Sequence, residues 1–355
     1  MTDKSLAPEV RAVDEANDWI TLLKDNARTE GQDAPALPSP ARARWQTSAG
    51  SSIRSAPVLG SGTLYVATSE GFLIAYVADT GRVRWKFKAG GQIHSAPALT
   101  GSTVLFGCDD GKLYAVNGNT GSKAWDAETQ AEIWASPVVR GGTTFIGSGD
   151  GFMYAVDAKT GKRRWKQQLG GRVLSTAHAD GEKIYVGCGD GHVHCMDSAT
   201  GKIRWSRLTG NGVDSSPAVV GDTVVIGSED FFVYALDAHS GAVRWKYETG
   251  LGISAPPAVS GDVAVIGSKD GFLYALEIPT GKLRWKMLAG EVVTGPAVFG
   301  QSTIYLQSWG LHALDAATGK LLWRAGLGSG VQNAPVISGK IIYLTSNDGD
   351  VYALE

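Results

Sequence analysis

One stretch of this chain gathers the residue types that ligate metals or serve as nucleophiles. Residues 178–195 contain His178, Cys188, His192, His194 and Cys195, a set suited to zinc or to thiolate chemistry. His192 and His194 fall on one face of an alternating segment. The same segment recurs along the chain, however, with Phe and Tyr in the two histidine slots. Cys188 takes a slot that is often Ser, and Cys195 one that is usually Ala. Substitution into packing positions accounts for all of them, and no metal site is expected. Together with Cys108, the cysteines show neither disulfide-framework nor metal-type spacing. No Ser-His-Asp order, phosphate-cradling glycine loop or close carboxylate pair stands out. Asp109-Asp110-Gly111, Gly149-Asp150-Gly151 and Gly189-Asp190-Gly191 read as hairpin turns without calcium-loop spacing.

A second set emerges when the chain is compared with itself. Three residues before each recurring proline stand Arg54, His94, Trp134, Leu174, Asp214, Ser254, Val293 and Gln332, with Ala177 replacing the proline after Leu174. The residue before each is always Ile or Val, so alternation puts the variable side chain on the opposite face. Two positions earlier, on the same side, lie Ser52, Gln92, Glu132, Arg172, Gly212, Gly252, Glu291 and Gly330. Arg54, His94, Trp134, Arg172, Asp214 and Gln332 are the candidate ligand-binding residues. The guanidinium groups suit carboxylates, the indole suits a planar ring, and the others hydrogen-bond. The competing expectation is a water-filled channel that tolerates any side chain that fits. Calcium is not expected, because Glu132, Asp214 and Glu291 belong to separate units and one ion needs its oxygens within ~2.5 Å.

The elements that position these residues follow from a tryptophan period. Trp45, Trp85, Trp125, Trp165, Trp205, Trp245, Trp285 and Trp323 are spaced by 40 six times and then by 38. Seven of them follow a turn such as Thr160-Gly161-Lys162-Arg163-Arg164-Trp165. Within 213–247, VDSSPAVV, TVVIGS, FFVYALD and VRWKY read as four strands of five to seven residues joined by short turns. Such a sheet has two apolar faces, which stacking around an axis buries. The expected fold is therefore an all-β, eight-bladed propeller of four-stranded antiparallel blades over residues 41–355. The chain stops at Tyr352-Ala353-Leu354-Glu355, one strand short of a unit, and Arg42-Ala43-Arg44-Trp45 supplies that strand. The variable register then begins the innermost strands and rims the central funnel. Trp309 lies where the turn of the seventh unit is two residues short. Residues 1–40 stand outside the repeat; Pro8 opens a helix with Val10, Val13, Ile20 and Leu23 near one face, and GQDAPALPSP reads as an extended linker.

Composition narrows the partners. A formal net charge of −2 gives no electrostatic reason to expect nucleic acid or an anionic membrane. No apolar run approaches the ~20 residues of a membrane span. The first residues have neither a basic nor an apolar signal region, so the chain as given is expected in the cytoplasm, and in the periplasm if it is a trimmed mature form. A monomer is expected.

Asp157-Ala158-Lys159-Thr160-Gly161-Lys162 through Trp165, and Asp315 through Thr318-Gly319-Lys320 to Trp323, resemble the tryptophan-docking motif of the pyrroloquinoline-quinone (PQQ) type of propeller. Asn17-Asp18-Trp19 to Asp25-Asn26-Ala27-Arg28-Thr29 resembles a degenerate form of that family's leader, so the likeness spans 17–355. The Trp-Asp and Gly-His pairs of Trp-Asp repeat propellers are absent at these positions. The resemblance implies one of two branches. Quinone-dependent dehydrogenases would use the funnel mouth for PQQ; non-enzymatic scaffolds include the lipoprotein that assists β-barrel assembly in outer membranes. The dehydrogenases carry large insertions, an adjacent-cysteine disulfide and a calcium site of Glu, Asn and Asp. Here the units are uniform and no Cys-Cys pair occurs. The scaffold's signal and lipid-bearing cysteine are also missing from this sequence. The expectation is a non-catalytic, protein-binding propeller without cofactor, with PQQ binding at the funnel mouth as the alternative.

Overall fold

The computed structural model describes residues 42–290, 292–327 and 333–355. The helix and linker expected over 1–40, and Gln332 of the candidate set, lie outside the described residues.

Eight four-stranded antiparallel sheets form the blades of a propeller ring. Blade 4 is typical: His178–Asp180, Lys183–Gly187, His192–Asp197 and Ile203–Leu208, hydrogen-bonded in that order. The innermost strand is shorter than expected in every blade, three residues in seven of them and two in blade 7. Before it the chain runs past a proline such as Pro217, which has no N–H for a ladder. The polar groups of that segment turn to the neighbouring blades instead. Ala96 N donates to Ser136 Oγ at 3.0 Å, Ser136 N to Thr176 Oγ1 at 3.1 Å, and Thr176 N to Ser216 Oγ at 2.9 Å. A buried run of hydrogen bonds thus links blades 2 to 5 just below the variable register.

The ring closes as the two chain ends require. Ala43–Ser48 pairs with Asp350–Leu354, placing Trp45 opposite Ala353. Arg42 N and O each bond the backbone of Glu355 at 2.8 Å. The apolar cluster at this junction joins Tyr76 of blade 1, Tyr305 of blade 7 and Tyr343 of blade 8. The other clusters likewise lie between neighbouring blades, so the core is the stack of inter-blade interfaces.

The tryptophans hold the blades in register. Seven of the eight indoles, all but Trp323, lie on the glycine of the next blade's Thr-Gly or Ser-Gly turn, as Trp45 does on Gly81, Trp165 on Gly201 and Trp245 on Gly281. In five of them the N–H donates to the carbonyl 33 residues on, as from Trp45 to Ala78 (2.8 Å), Trp165 to Ser198 (3.0 Å) and Trp245 to Ile278 (2.7 Å), and in Trp285 to Ala316, 31 residues on. Trp45 does this across the closure, docking the N-terminal strand of blade 8 on blade 1. Gly201 has φ of +74°, and a Cβ there would lie 2.7 Å from Trp165 Cε3. Backbone conformation and close approach therefore both demand glycine. The turn is braced by its aspartate: Asp157 Oδ1 accepts N–H groups of Lys159 and Thr160 at 3.1 and 3.0 Å, and Oδ2 pairs with Arg164 at 2.8 Å.

Two outcomes follow. Gly201→Ala is expected to destabilise the protein by about 2–4 kcal/mol in denaturant titration, the sum of a left-handed alanine and an overpacked indole. The Arg164 guanidinium, with the Thr160 hydroxyl, holds the Asp157 carboxyl at about 2, below its ordinary 3.8. A depressed carboxylate stabilises the fold above its unfolded pKa and loses that contribution as pH falls through the folded value. Thermal melts should therefore show Asp157→Asn less stable than wild type at pH ~6, with the difference closing towards pH ~2.

Candidate functional site

The connections from each outer strand to the next inner strand, and the turns between second and third strands, meet on one face. Gly189 N donates to Arg172 O at 2.9 Å, and the equivalent bond recurs from Ser69 to Ser52 and from Lys269 to Gly252. The variable register thus opens on this face, as alternation implied: Ile53, Ile93, Ile133, Val173, Val213 and Ile253 are buried, while Arg54 and Trp134 are exposed and His94 and Asp214 half-buried.

In blade 7 the register differs from expectation by one residue. Val293 was assigned to the variable slot and Val292 to the constant one. The structure buries Val293 to 1% exposure and leaves Val292 at 42%. Val293 N bonds Ser268 O, as Ile253 N bonds Ser228 O, so Thr294 is the variable residue. One residue is missing between this point and Pro296, and counting back from the proline slips by one. The short turn of the same blade holds Trp309 at φ +45° and 51% exposed, with its carbonyl accepting from Arg324 at 2.9 Å.

His94, Trp134 and Arg172 are brought together. The His94 and Trp134 rings lie 5.2 Å apart at 56°, and both address Asp109: Trp134 Nε1 donates to Oδ1 at 2.8 Å, and His94 Nε2 is 3.3 Å from Oδ2. The Arg172 guanidinium lies over the Trp134 ring, 5.3 Å from its centroid, and pairs with Glu132. Gly149 makes room for that carboxylate, since a Cβ there would come within 2.5 Å of Glu132 Oε1. Asp214 stands in a second group with Glu229 and Lys269, whose Nζ donates to both Glu229 oxygens at 2.7 and 2.8 Å. Burial, and then the Glu229 charge, raise the Asp214 carboxyl above its ordinary value; Lys269 and Arg172 pull the other way. No contact joins Arg54 to either group among the described residues.

Asp109, Glu229 and Lys269 escaped the sequence reading. They precede the recurring turn aspartate, a position that runs Ser69, Asp109, Gly149, Gly189, Glu229, Lys269 while its neighbour is constant in five of those six. The self-comparison that found the first variable register applies equally to this one. Among the described residues the ring, so completed, holds four carboxylates (Asp109, Glu132, Asp214, Glu229) against three cations, of which Arg172 and Lys269 are paired within it and Arg54 is exposed.

Comparison with known proteins places this geometry. The family model described as outer membrane protein assembly factor BamB matches residues 36–171, 120–250, 156–289, 229–310 and 269–355. The chain belongs to this family. Its PQQ-type repeats run through all eight blades, as the docking motifs implied. No curated protein sequence matches the chain. Among solved structures, BamB from Moraxella catarrhalis is similar at 21% identity and a TM-score of 0.77, over 89% of this chain and 99% of that one. The quinohemoprotein alcohol dehydrogenase from Comamonas testosteroni aligns at 16% identity and 0.85, over 96% and 80%. The computationally designed Ika8 protein aligns at 19% and 0.77, over 86% and 96%. At these identities the likeness is one of fold, shared by scaffold and dehydrogenase alike. Among the described residues, no helix is long and apolar enough to cross a membrane.

A raised carboxyl weakens the fold as pH climbs past its unfolded value of 3.8, because the folded state holds the proton longer. Asp214→Asn is therefore expected to melt at or above the wild-type temperature at pH ~7, with the gain gone below pH ~4. A variant less stable than wild type at pH ~7 would assign Asp214 a structural role instead.

Proposed function

We propose that this BamB-family propeller is a non-catalytic scaffold that binds a protein through the face bearing the funnel mouth. The observation that carries the reading is the internal pairing of the mouth. Arg172 is held by Glu132 and Lys269 by Glu229, and with Arg54 counted the described carboxylates still outnumber the cations by four to three. A quinone tricarboxylate entering here would meet net negative charge and would have to break existing ion pairs. The blades are joined by connections of nine residues, as between Lys88 and Ala98, which are tied to the neighbouring turns by backbone hydrogen bonds, and no longer described segment is there to close over a cofactor. The same face presents Trp134 at 41% exposure with Arg172 on its ring. Rigidly held tryptophan and arginine are the residue types that dominate protein-binding energetics. The family description, an outer membrane protein assembly factor, supports a partner within such an assembly.

The alternative, a PQQ-binding funnel, draws on the same side chains: Arg54 and Arg172 for carboxylates, Trp134 for stacking, and His94 and Asp214 for hydrogen bonds. Two measurements separate the readings. PQQ titrated to millimolar, with and without calcium, is expected to leave the melting temperature unchanged, since a ligand that binds only the folded state must raise it. A photo-crosslinking residue introduced in the producing cells at position 92, which is exposed on the same face and leaves Trp134 in place, is expected to capture one defined protein. Arg172→Glu should reduce that capture at least ~10-fold at unchanged stability. Stabilisation by PQQ together with no specific crosslink would overturn the scaffold reading.

A further inference from the structure

Blade 4 breaks a rule that its neighbours keep. In blades 2, 3, 5 and 6 the aspartate of the turn between second and third strands accepts a hydrogen bond from a tyrosine four residues on. Tyr114 reaches Asp110 at 2.5 Å, Tyr154 reaches Asp150 at 2.7 Å, and Tyr234 and Tyr274 reach Asp230 and Asp270 at 2.6 Å. In blade 4 the tyrosine is His194, and the imidazole falls short: Nε2 stops 3.7 Å from Asp190 Oδ2. That nitrogen is buried with no hydrogen-bond partner, on a side chain only 6% exposed. The position two residues before the aspartate is Ser in blades 3, 5 and 6, Cys108 in blade 2 beside an intact Tyr–Asp pair, and Cys188 here. Sγ of Cys188, a carboxylate oxygen of Asp190 and a ring nitrogen of His194 all lie within 4.8 Å of one another.

Packing alone explains a histidine that fits the tyrosine slot. It does not explain an orphaned nitrogen aimed at a carboxylate with a thiol beside them, since a buried ring nitrogen without a partner is costly. A cation between the three donors removes the cost. Zinc bonds of ~2.0–2.3 Å in tetrahedral geometry put nitrogen and oxygen donors about 3.3–3.5 Å apart and sulfur slightly farther, so the 3.7 Å gap between His194 and Asp190 would close by only a few tenths of an ångström. We propose that Cys188, Asp190 and His194 form a zinc-binding site on the face that carries the funnel mouth. The mixed sulfur, nitrogen and oxygen set selects zinc over calcium or magnesium, which take oxygen alone.

The surroundings are built for it. Ser206 Oγ meets His194 Nδ1 at 2.8 Å, where blades 3, 5 and 6 have Lys166, Lys246 and Lys286, so this blade has lost a cation and gained an orienting hydroxyl. Asp190 is fixed by N–H groups of His192 at 2.9 Å and Gly170 at 3.0 Å. His192 stacks on His194 with centroids 5.5 Å apart and its own Nδ1 lacks a hydrogen bond. It is one-third exposed with Nδ1 3.3 Å from Asp190 Oδ1, outside the three-donor group, so a water would complete the coordination.

The test uses the purified full chain, stripped with a chelator and titrated with Zn2+ against a chromophoric competitor, then with Co2+ as a spectroscopic stand-in. Wild type is expected to bind about one zinc per chain, and the cobalt form to show a thiolate charge-transfer band with tetrahedral d–d intensity. His194→Tyr restores the pair found in four other blades, so it keeps the fold; it should lose at least ~10-fold in zinc affinity. Cys188→Ser should abolish the charge-transfer band. The proposal fails if wild type binds no zinc at micromolar concentration, if His194→Tyr binds as wild type does, or if the band survives in Cys188→Ser.

Discussion

An indole laid flat on a glycine joins neighbouring blades through most of this ring. The contact demands several things at once. The turn must adopt a left-handed backbone, the glycine must leave its Cβ position empty for the ring, and the indole N–H must find the carbonyl that the turn exposes. A blade that satisfies all three sits at a defined distance and rotation from its neighbour. Repeating one such contact around an axis turns a chain of hairpins into a closed ring, because the last tryptophan, Trp45, meets the first blade. The apolar clusters between blades add most of the buried area, but they are non-directional. Register comes from the indole.

That rigidity shapes what the funnel face can do. Side chains at the start of each inner strand and in each second turn are held at near-equal spacing around the axis. They therefore interact chiefly with the adjacent blade: Asp109 of blade 2 with Trp134 of blade 3, Arg172 of blade 4 with Glu132 of blade 3, Lys269 of blade 6 with Glu229 of blade 5. A polar ring with short spacing and fixed positions neutralises itself largely pairwise, and what it offers outward is the exposed remainder, Arg54 and Trp134 with its arginine cover. Blade 4 differs because His194 and Ser206 replace a tyrosine and a lysine together beside Cys188 and the recurring turn aspartate, whereas blade 2 has Cys108 in the same slot but keeps its tyrosine.

Much of this was legible in the residue order. The forty-residue period, the strand and turn content, the blade number and the closure by Trp45 all follow from spacing, since each unit repeats the same local chemistry. The reading slipped where spacing broke. A one-residue deletion before Pro296 moved Val293 out of the variable register and into the core, because burial follows the strand pairing and not the count from a proline. The inner strands came out shorter than alternation suggested, because their polar backbone groups bond across blades. Asp109, Glu229 and Lys269 went unseen because a turn residue beside a strong Asp-Gly signal reads as part of the turn.

What sequence alone determined is the periodic part: one repeated unit, one docking contact and one mode of closure, all set by interactions between residues at constant separation along the chain. What only the tertiary structure decided is which side chains of different blades reach each other. The distance between Arg172 and Glu132, or the gap left at His194, depends on how two sheets are stacked and on side-chain length measured against that stacking. Forty residues apart in sequence carries no such information, because the same separation brings together a paired arginine in one blade and a bare glycine in the next.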